Sequence, residues 1–329
     1  MSRQDDRRFL IRAYELAARV EPTAVSPNPR VGCVLVKNNR ILSSQAHTRF
    51  GQAHAEAKAL RVAGARAKGA TAYLTLEPCV SFTGKKTSSC AAALIAAGIK
   101  RVVCLDRDPN PRVRGKGLSQ LKGAGIAITR LNIDRDPEAL NRGFYSRMRR
   151  FRPWVILKSA LSIDGKAAAA TGQSRWITGP SARAAVLALR AEVDAILVGA
   201  GTVLTDNPVL SAHGAGKNPL RVVLAGRRRL PARARVFDSS AQTIVYKART
   251  RTALLAAMKD LSRRGVGTLL VEGGPTVHAA FLRAGLVDEA RVFIAPKLLS
   301  GCDDPNAAPT LKTPKLSRLG ADWLIEGVV

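Results

Sequence analysis

Four side chains in the first ninety residues have the types and the order to hold a metal ion and move protons beside it. They are His54 and Glu56 in "HAEAKAL", Cys79 closing "LEPC", and Cys90 opening "CAAALIAAG". Residues two apart in mid-helix point to nearly opposite sides, so His54 and Glu56 converge only in the first turn of a helix. Gly51 and Gln52 just upstream allow a helix to start there. One imidazole and two thiolates make a tetrahedral zinc site with one position left for water. Such an ion brings the pKa of water toward neutrality, and a carboxylate that is close by without being a ligand can carry the proton to a leaving amine. The expectation is one Zn²⁺ per chain on His54, Cys79 and Cys90, with Glu56 as the proton carrier.

The order H-x-E, then P-C, then C is a signature of zinc-dependent deamination. Taken singly, the same residues read as a surface His–Glu pair and two buried thiols, so the argument rests on their joint order. Cys33 and Cys104 lie inside apolar runs and Cys302 in a Gly/Asp loop, where packing or incidental thiols are expected.

The elements that must position these groups are legible from periodicity and turn residues. The first twenty residues alternate charge and apolar positions as an amphipathic helix does. "CVLVK", the turn "NNR" and "ILSS" predict a hairpin behind it. There follow a helix from about His54 to Ala67, strand "ATAYLTL", a Gly/Lys/Ser loop, helix "CAAALIAAG", strand "KRVVCLD", turn "DPNPRVRG", helix "GLSQLKGAG" and strand "IAITRL". The Arg-dense "NRGFYSRMRRFRP" interrupts this rhythm, and the boundary between two domains is expected near residue 146. A second α/β series runs from "WVILKSAL" through "EARVFIAPKL". Strands alternating with helices imply largely parallel sheets with covered faces.

Composition bounds the rest. A chain of 329 residues exceeds the usual single domain, and 46% hydrophobic content argues against disorder. No apolar run approaches the roughly 20 residues that cross a bilayer. Five cysteines without a continuous apolar leader read as reduced thiols or metal ligands, which points to the cytoplasm and away from a disulfide framework or a membrane. The formal net charge is +29, with 28 basic against 11 acidic side chains in residues 1–150 and 25 against 13 in the remainder. A field of this sign attracts phosphorylated metabolites, dinucleotides or nucleic acid.

In the second half, "LLVEGGPTVHAAFL" runs from an apolar strand into Gly273-Gly274 and a helix, whose first N–H groups can hold a phosphate. "AILVGAGTVLTDNPVL" reads as a strand followed by Gly199 and Gly201 at a tight turn, with Thr202 and Asp206 available to sugar or amide groups. It departs from the G-x-G-x-x-G fingerprint, because Leu204 stands where the third Gly belongs. These features read as a nucleotide-binding α/β domain or, equally, as turn glycines and a capping aspartate.

"SPNPRVGCVLV", "HAEAKALRVAG", "GATAYLTLEPC", "CAAALIAAGIKRVV" and "DPNPRVRGKGL", in that order, resemble the deaminase domain of the bifunctional riboflavin-biosynthesis deaminase/reductase family. "LKSALSIDGKAAAATGQSRWITG", "LRAEVDAILVGAGTVLTDNP" and "LLVEGGPTVH…LVDEARVFIAPKLLSG" are similar to its reductase domain. The resemblance implies an α/β chain with a cytidine-deaminase-like three-layer α/β/α domain over 1–146 and a dihydrofolate-reductase-like domain over 147–329. It implies hydrolytic deamination of 2,5-diamino-6-ribosylamino-4(3H)-pyrimidinone 5′-phosphate, then NADPH-dependent reduction of the ribosyl chain to ribityl. By motif position His54, Cys79 and Cys90 carry over as zinc ligands and Glu56 as proton donor, with Asn28 and His47 lining the pyrimidine pocket. Ala160, Trp176, Thr202, Asp206, Gly273 and Gly274 fall on NADP contacts, and Ser174, Arg190, Leu210 and Glu272 on substrate contacts. A homo-oligomer is expected.

Two departures from the family pattern stand out. The usual P-C-S-H-x-G-[KR]-T-P-P-C loop reads "PCVSFTGKKTSSC", two residues longer, with Phe82 nearest the missing His. His213 stands where an Arg would grip the substrate phosphate, and a His carries less charge at neutral pH. Two alternatives therefore stay open: a basic nucleic-acid deaminase or binding protein on the same scaffold, and a reductase whose deaminase domain is impaired.

Overall fold

The structure, a computed structural model, describes residues 2–83, 88–172, 177–319 and 322–328. Contacts divide it into two units, Met1–Trp154 with Ala256–Gly267, and Val155–Leu255 with Thr268–Val329. Among the described residues no helix is long and apolar enough to cross a membrane.

The first unit carries helices α1 (Arg3–Ala18), α2 (Pro22–Val25), α3 (Ala55–Ala63), α4 (Cys90–Ala96), α5 (Lys116–Gly123), α6 (Pro137–Leu140) and α7 (Arg142–Arg150). Its strands are β1 (Gly32–Lys37), β2 (Arg40–Ala46), β3 (Thr71–Leu76), β4 (Arg101–Asp106) and β5 (Ala127–Arg130), ordered β2-β1-β3-β4-β5. The β2-β1-β3 pairings are antiparallel and the β3-β4-β5 pairings parallel, so the sheet is mixed rather than parallel throughout. Alternation along β1 sorts the two faces. Cys33 and Leu35 pack with Ala59, Ala63, Leu94 and Leu121 from α3, α4 and α5. Val34 and Val36 pack with Phe9, Leu10 and Ala13 from α1. Period-two side chains buried on both faces give three layers, helix, sheet and helix. Close approach of α1 requires Gly32, where a Cβ would fall 1.9 Å from the Ala13 carbonyl oxygen.

The Arg-dense segment expected as an interruption is helix α7. Its arginines are held within the unit: Arg149 lies over the Tyr145 ring and pairs with Glu138, while Arg142 and Arg150 lie over Trp154. Stacking of guanidinium on aromatic faces gives these cations a packing role.

The second unit has strands β6 (Trp154–Ser162), β7 (Ala195–Gly199), β8 (Leu220–Leu224), β9 (Thr243–Tyr246), β10 (Thr268–Val271) and β11 (Glu289–Ala295). They form one sheet ordered β11-β6-β10-β7-β8-β9. Pairings β11·β6, β10·β7, β7·β8 and β8·β9 are all parallel. Helices α8 (Pro180–Glu192), α9 (Ala200–Asp206), α10 (Arg251–Arg263) and α11 (Pro275–Arg283) connect them; the last eight residues of α10 cluster with the first unit. Helix α9 occupies part of the stretch read from sequence as a turn. A two-stranded antiparallel hairpin, β12 (Lys312–Leu319) and β13 (Asp322–Val328), stands apart from the sheet.

Candidate functional site

His54 is the N-cap residue of α3, with extended backbone at φ −68° and ψ 166°, and Glu56 falls in the first turn. Leaving the helical conformation at His54 removes the divergence that a mid-helix i, i+2 pair would have. Strand β3 ends at Leu76, directly before Glu77-Pro78-Cys79, and Cys90 is the first residue of α4. Ser89 caps α4 by accepting the Ala92 N–H at 3.1 Å, and its hydroxyl donates to the Cys79 carbonyl at 3.2 Å. That bond and Ala91 N–H to the same carbonyl tie the two cysteines together.

The result is a triangle of donors. His54 Nδ1 lies 3.5 Å from Cys79 Sγ and 3.3 Å from Cys90 Sγ, and the three ligand atoms all lie within 4.8 Å of one another. Zn–S near 2.3 Å and Zn–N near 2.0 Å at tetrahedral angles predict N···S edges of about 3.6 Å. Donor type, spacing and count fit one zinc ion. Glu56 is buried, with its Oε2 lacking a hydrogen-bond partner among the described residues. Burial, and after it the charge of Cys79, push its carboxyl up from the ordinary range. Cys33 and Cys104 are buried in the sheet and Cys302 lies in the second unit; none joins this group.

A cleft of about 270 Å³ opens onto the triangle. Its walls include Asn28, His47, Phe50, Leu76, Asp108 and Phe144. The Asn28 loop is pinned by Arg147, which donates to the Pro27 carbonyl at 3.0 Å, and by Asn141, which accepts the Arg30 N–H at 2.8 Å. Asn28 Nδ2 lies 3.2 Å from His47 Nε2, and His47 Nδ1 lies 3.3 Å from the Ala53 carbonyl. A carbonyl can only accept, so the Nδ1 hydrogen points to Ala53 and Nε2 accepts from Asn28. Burial of His47 lowers its pKa and favours that neutral form.

Sequence reasoning missed two groups here. Glu77, buried beside the ligand strand, accepts the backbone N–H of Asp108 at 3.2 Å, Gly115 at 2.9 Å and Leu118 at 3.2 Å. It thereby fixes the loop 107–118 against the cleft. Gly117 completes that join, since a Cβ would fall 2.0 Å from the Pro78 carbonyl oxygen. Asp108 lines the cleft, and burial, followed by the charges of Glu77, Cys79 and Asp106, pushes its carboxyl up to about 7. A charged residue closing an apolar strand in "LEPC" was the available signal for Glu77.

In the second unit Thr202 and Asp206 sit on α9 directly after β7, and Glu272, Gly273 and Gly274 directly follow β10. Strands β7 and β10 are parallel neighbours, so these residues meet at the carboxyl ends of the sheet, where open α/β sheets bind ligands. Ala160 lies on β6, beside β10 in the sheet. Arg190, in the last turn of α8, makes a bidentate pair with Glu272 at 2.8 and 2.9 Å, and Lys158 Nζ lies 3.9 Å from the same carboxylate. Burial would lower the Arg190 pKa, but the Glu272 carboxylate outweighs it and holds the guanidinium above its ordinary value. Arg190 also donates to the Ser211 carbonyl at 3.2 Å. Leu210 is buried and His213 exposed on that loop, both at positive φ. Ser174 and Trp176 lie outside the described residues.

The two halves of the chain match different family models. Residues 3–106 match the cytidine and deoxycytidylate deaminase zinc-binding region, and residues 153–325 match the RibD C-terminal domain. The chain is 38% identical over 360 residues to the riboflavin biosynthesis protein RibD of Escherichia coli strain K12, covering 96% of this chain and 97% of that protein. A solved structure of Acinetobacter baumannii RibD superposes with a TM-score of 0.82 at 35% identity, covering 98% of each chain. A diaminohydroxyphosphoribosylaminopyrimidine deaminase/5-amino-6-(5-phosphoribosylamino)uracil reductase of Thermotoga maritima gives 0.80 at 34% identity, again over 98% of each. With a deaminase zinc-binding half, a reductase half and relatives this similar along nearly the whole length, the chain belongs to the RibD family of bifunctional riboflavin-biosynthesis deaminase/reductases.

Proposed function

We propose that this chain carries out two successive steps of riboflavin synthesis, each in its own half. Residues 1–146 deaminate 2,5-diamino-6-ribosylamino-4(3H)-pyrimidinone 5′-phosphate by hydrolysis. Residues 147–329 then reduce the ribosyl chain to ribityl with NADPH. The observation that carries the reading is the His54, Cys79 and Cys90 triangle with a buried carboxylate beside it and a cleft above it.

When bound, zinc supplies the Lewis acidity that makes water nucleophilic near neutral pH. Glu56 takes the proton that water gives up and hands it to the departing amine. Its unpartnered Oε2 supports that role, and burial, which pushes the carboxyl above its ordinary range, strengthens its hold on a proton once taken. Asn28 and neutral His47, each holding the other, present a fixed polar edge to the pyrimidine. Such preset geometry lowers the entropic cost of placing the ring.

In the second half NADPH supplies the hydride. Gly273 and Gly274 supply backbone at the start of α11, and at Gly274 a Cβ would meet nothing within 4 Å, so a dinucleotide can approach closely. Thr202, Asp206, Ala160 and Trp176 contact the cofactor, while Ser174, Arg190, Leu210, His213 and Glu272 contact the substrate. The Arg190–Glu272 pair supports this, since a locked fork leaves its remaining donors aimed in one direction.

The active form is a homo-oligomer. An isolated two-stranded hairpin is marginal in water, yet β12 and β13 leave Leu316 and Trp323 exposed on one face, since Leu316 pairs with Ile325 and Trp323 lies two residues before it. A second copy covering that face supplies the missing apolar partner.

The deciding experiment follows ammonia release and NADPH oxidation separately on the purified chain with the diaminopyrimidine ribotide. Both signals are expected, ammonia first. No ammonia release, with NADPH oxidised once the deaminated ribotide is supplied instead, would leave a reductase with an inactive deaminase half.

A further inference from the structure

Arg112 stands at the rim of the deaminase cleft with its guanidinium over the ring of Phe82, 5.7 Å from the centroid. Phe82 lines the cleft, as do Asn110 and Val113, which bracket Arg112 in the chain. The lining also contains three carboxylates, Glu56, Glu77 and Asp108, and no Lys or Arg among its described residues. A phosphate dianion entering this cleft finds no cationic side chain among its described lining residues and meets its cation at the rim.

The backbone under Arg112 is set in place. Glu77 accepts the N–H groups of Asp108 and Gly115, one before and one after it, and the Arg112 N–H donates to Asn110 Oδ1 at 3.0 Å. With the chain fixed and one face of the guanidinium against an aromatic ring, the N–H donors at its edge remain for a ligand. Arginine in that state suits the bidentate recognition of phosphate.

We propose that Arg112, held over Phe82, receives the 5′-phosphate of the deaminase substrate and selects the ribotide over its dephosphorylated riboside. The proposal rests on the deaminase reading above. It assigns to the loop 107–118 and to Phe82 a joint role in substrate choice, at a place where the loop sequence departs from the usual family pattern.

The test uses the full zinc-loaded chain and the variants Arg112→Ala, Arg112→Lys, Phe82→Leu and, as control, Arg49→Ala, an exposed arginine next to the cleft residues Phe50 and Gly51. Ammonia release is measured on ribotide and riboside, and ribose 5-phosphate binding by calorimetry. Loss of one charge-assisted contact in Arg112→Ala is expected to raise KM for the ribotide by about tenfold or more, with kcat within about twofold. The riboside stays unaffected, ribose 5-phosphate binding weakens in parallel, Arg112→Lys recovers part, Phe82→Leu loses part, and Arg49→Ala changes nothing. Equal effects on ribotide and riboside, no effect on either, or selective loss in Arg49→Ala would each overturn the proposal. If the wild-type chain releases no ammonia from either compound, the deaminase reading fails, and ribose 5-phosphate binding alone still decides whether Arg112 is a phosphate site.

Discussion

His54 Nδ1 and Cys90 Sγ, 36 positions apart in the chain, lie 3.3 Å from each other. The contact exists because two helices begin at the same point, one with its N-cap imidazole and the other with its first thiol. Cys90→Ala is expected to lower bound zinc from about one per chain to near zero, since two ligands and water hold the ion poorly. Metal analysis of the purified variant checks this, with NADPH binding as evidence that the second half remains folded. Full retention of zinc in Cys90→Ala would remove the metal site.

Glu56→Gln keeps the shape of the side chain and removes its basicity. Deamination should fall by about 10²–10⁴ with zinc retained. Reduction of the deaminated ribotide, measured by NADPH oxidation, should be unchanged. A variant that loses both zinc and activity would instead make Glu56 part of the metal site.

Asp108 carries a pH-dependent cost. Its carboxyl titrates at about 7 in the fold against 3.8 ordinarily, so the folded chain binds its proton more tightly. Stability from this group is complete below its unfolded pKa and is lost as pH rises toward neutrality, by up to about 4 kcal/mol for a shift of about three units. Asp108→Asn should lack that decline. Denaturant unfolding of the zinc-free wild type and variant at about pH 5 and about pH 8 isolates the difference. Parallel profiles for the two proteins would show that Asp108 ionises in the fold as it does in water.

Arg190 and Glu272 form a bidentate pair in which the Glu272 side chain is only 7% exposed. Removing Glu272 strands Arg190 and Lys158 in low dielectric, at a cost of about 3–5 kcal/mol, whereas removing Arg190 leaves Glu272 with Lys158 at 3.9 Å as its one remaining partner cation among the described residues. Glu272→Leu should destabilise by an amount in that range and Arg190→Met by less, with the double variant costing less than the sum of the two. Unfolding midpoints of the four proteins form the cycle, and additive effects would mean that the pair is not coupled.

Trp323, 62% exposed on the β12–β13 hairpin, lies at the centre of the proposed subunit contact. Trp323→Lys should shift the chain toward monomer in light scattering at micromolar concentration, because a strongly hydrated ammonium resists burial against an apolar partner. A wild-type chain that is already monomeric there would dismiss the oligomer.

Much of this protein was legible before folding. Strand alternation, the αβ order and the short motifs around His54, Cys79 and Cys90 were local patterns, and local patterns are what periodicity and turn chemistry report. Helix α7 was missed because its Arg-rich face obscures an amphipathic period, and stacking on Tyr145 and Trp154 stabilises it only once those rings are in place. Helix α9 was missed because its Gly and Thr residues favour turns when taken alone.

The sequence by itself determined the ligand types, the carboxylate beside them and the two-half organisation, since each follows from residue identity and order along the chain. Only the tertiary structure decided that Glu77 anchors the loop 107–118, that Arg112 rests on Phe82, and that Arg190 is locked to Glu272. These are contacts between segments far apart in the chain. Their geometry is fixed by how sheets and helices pack, and no local pattern encodes it.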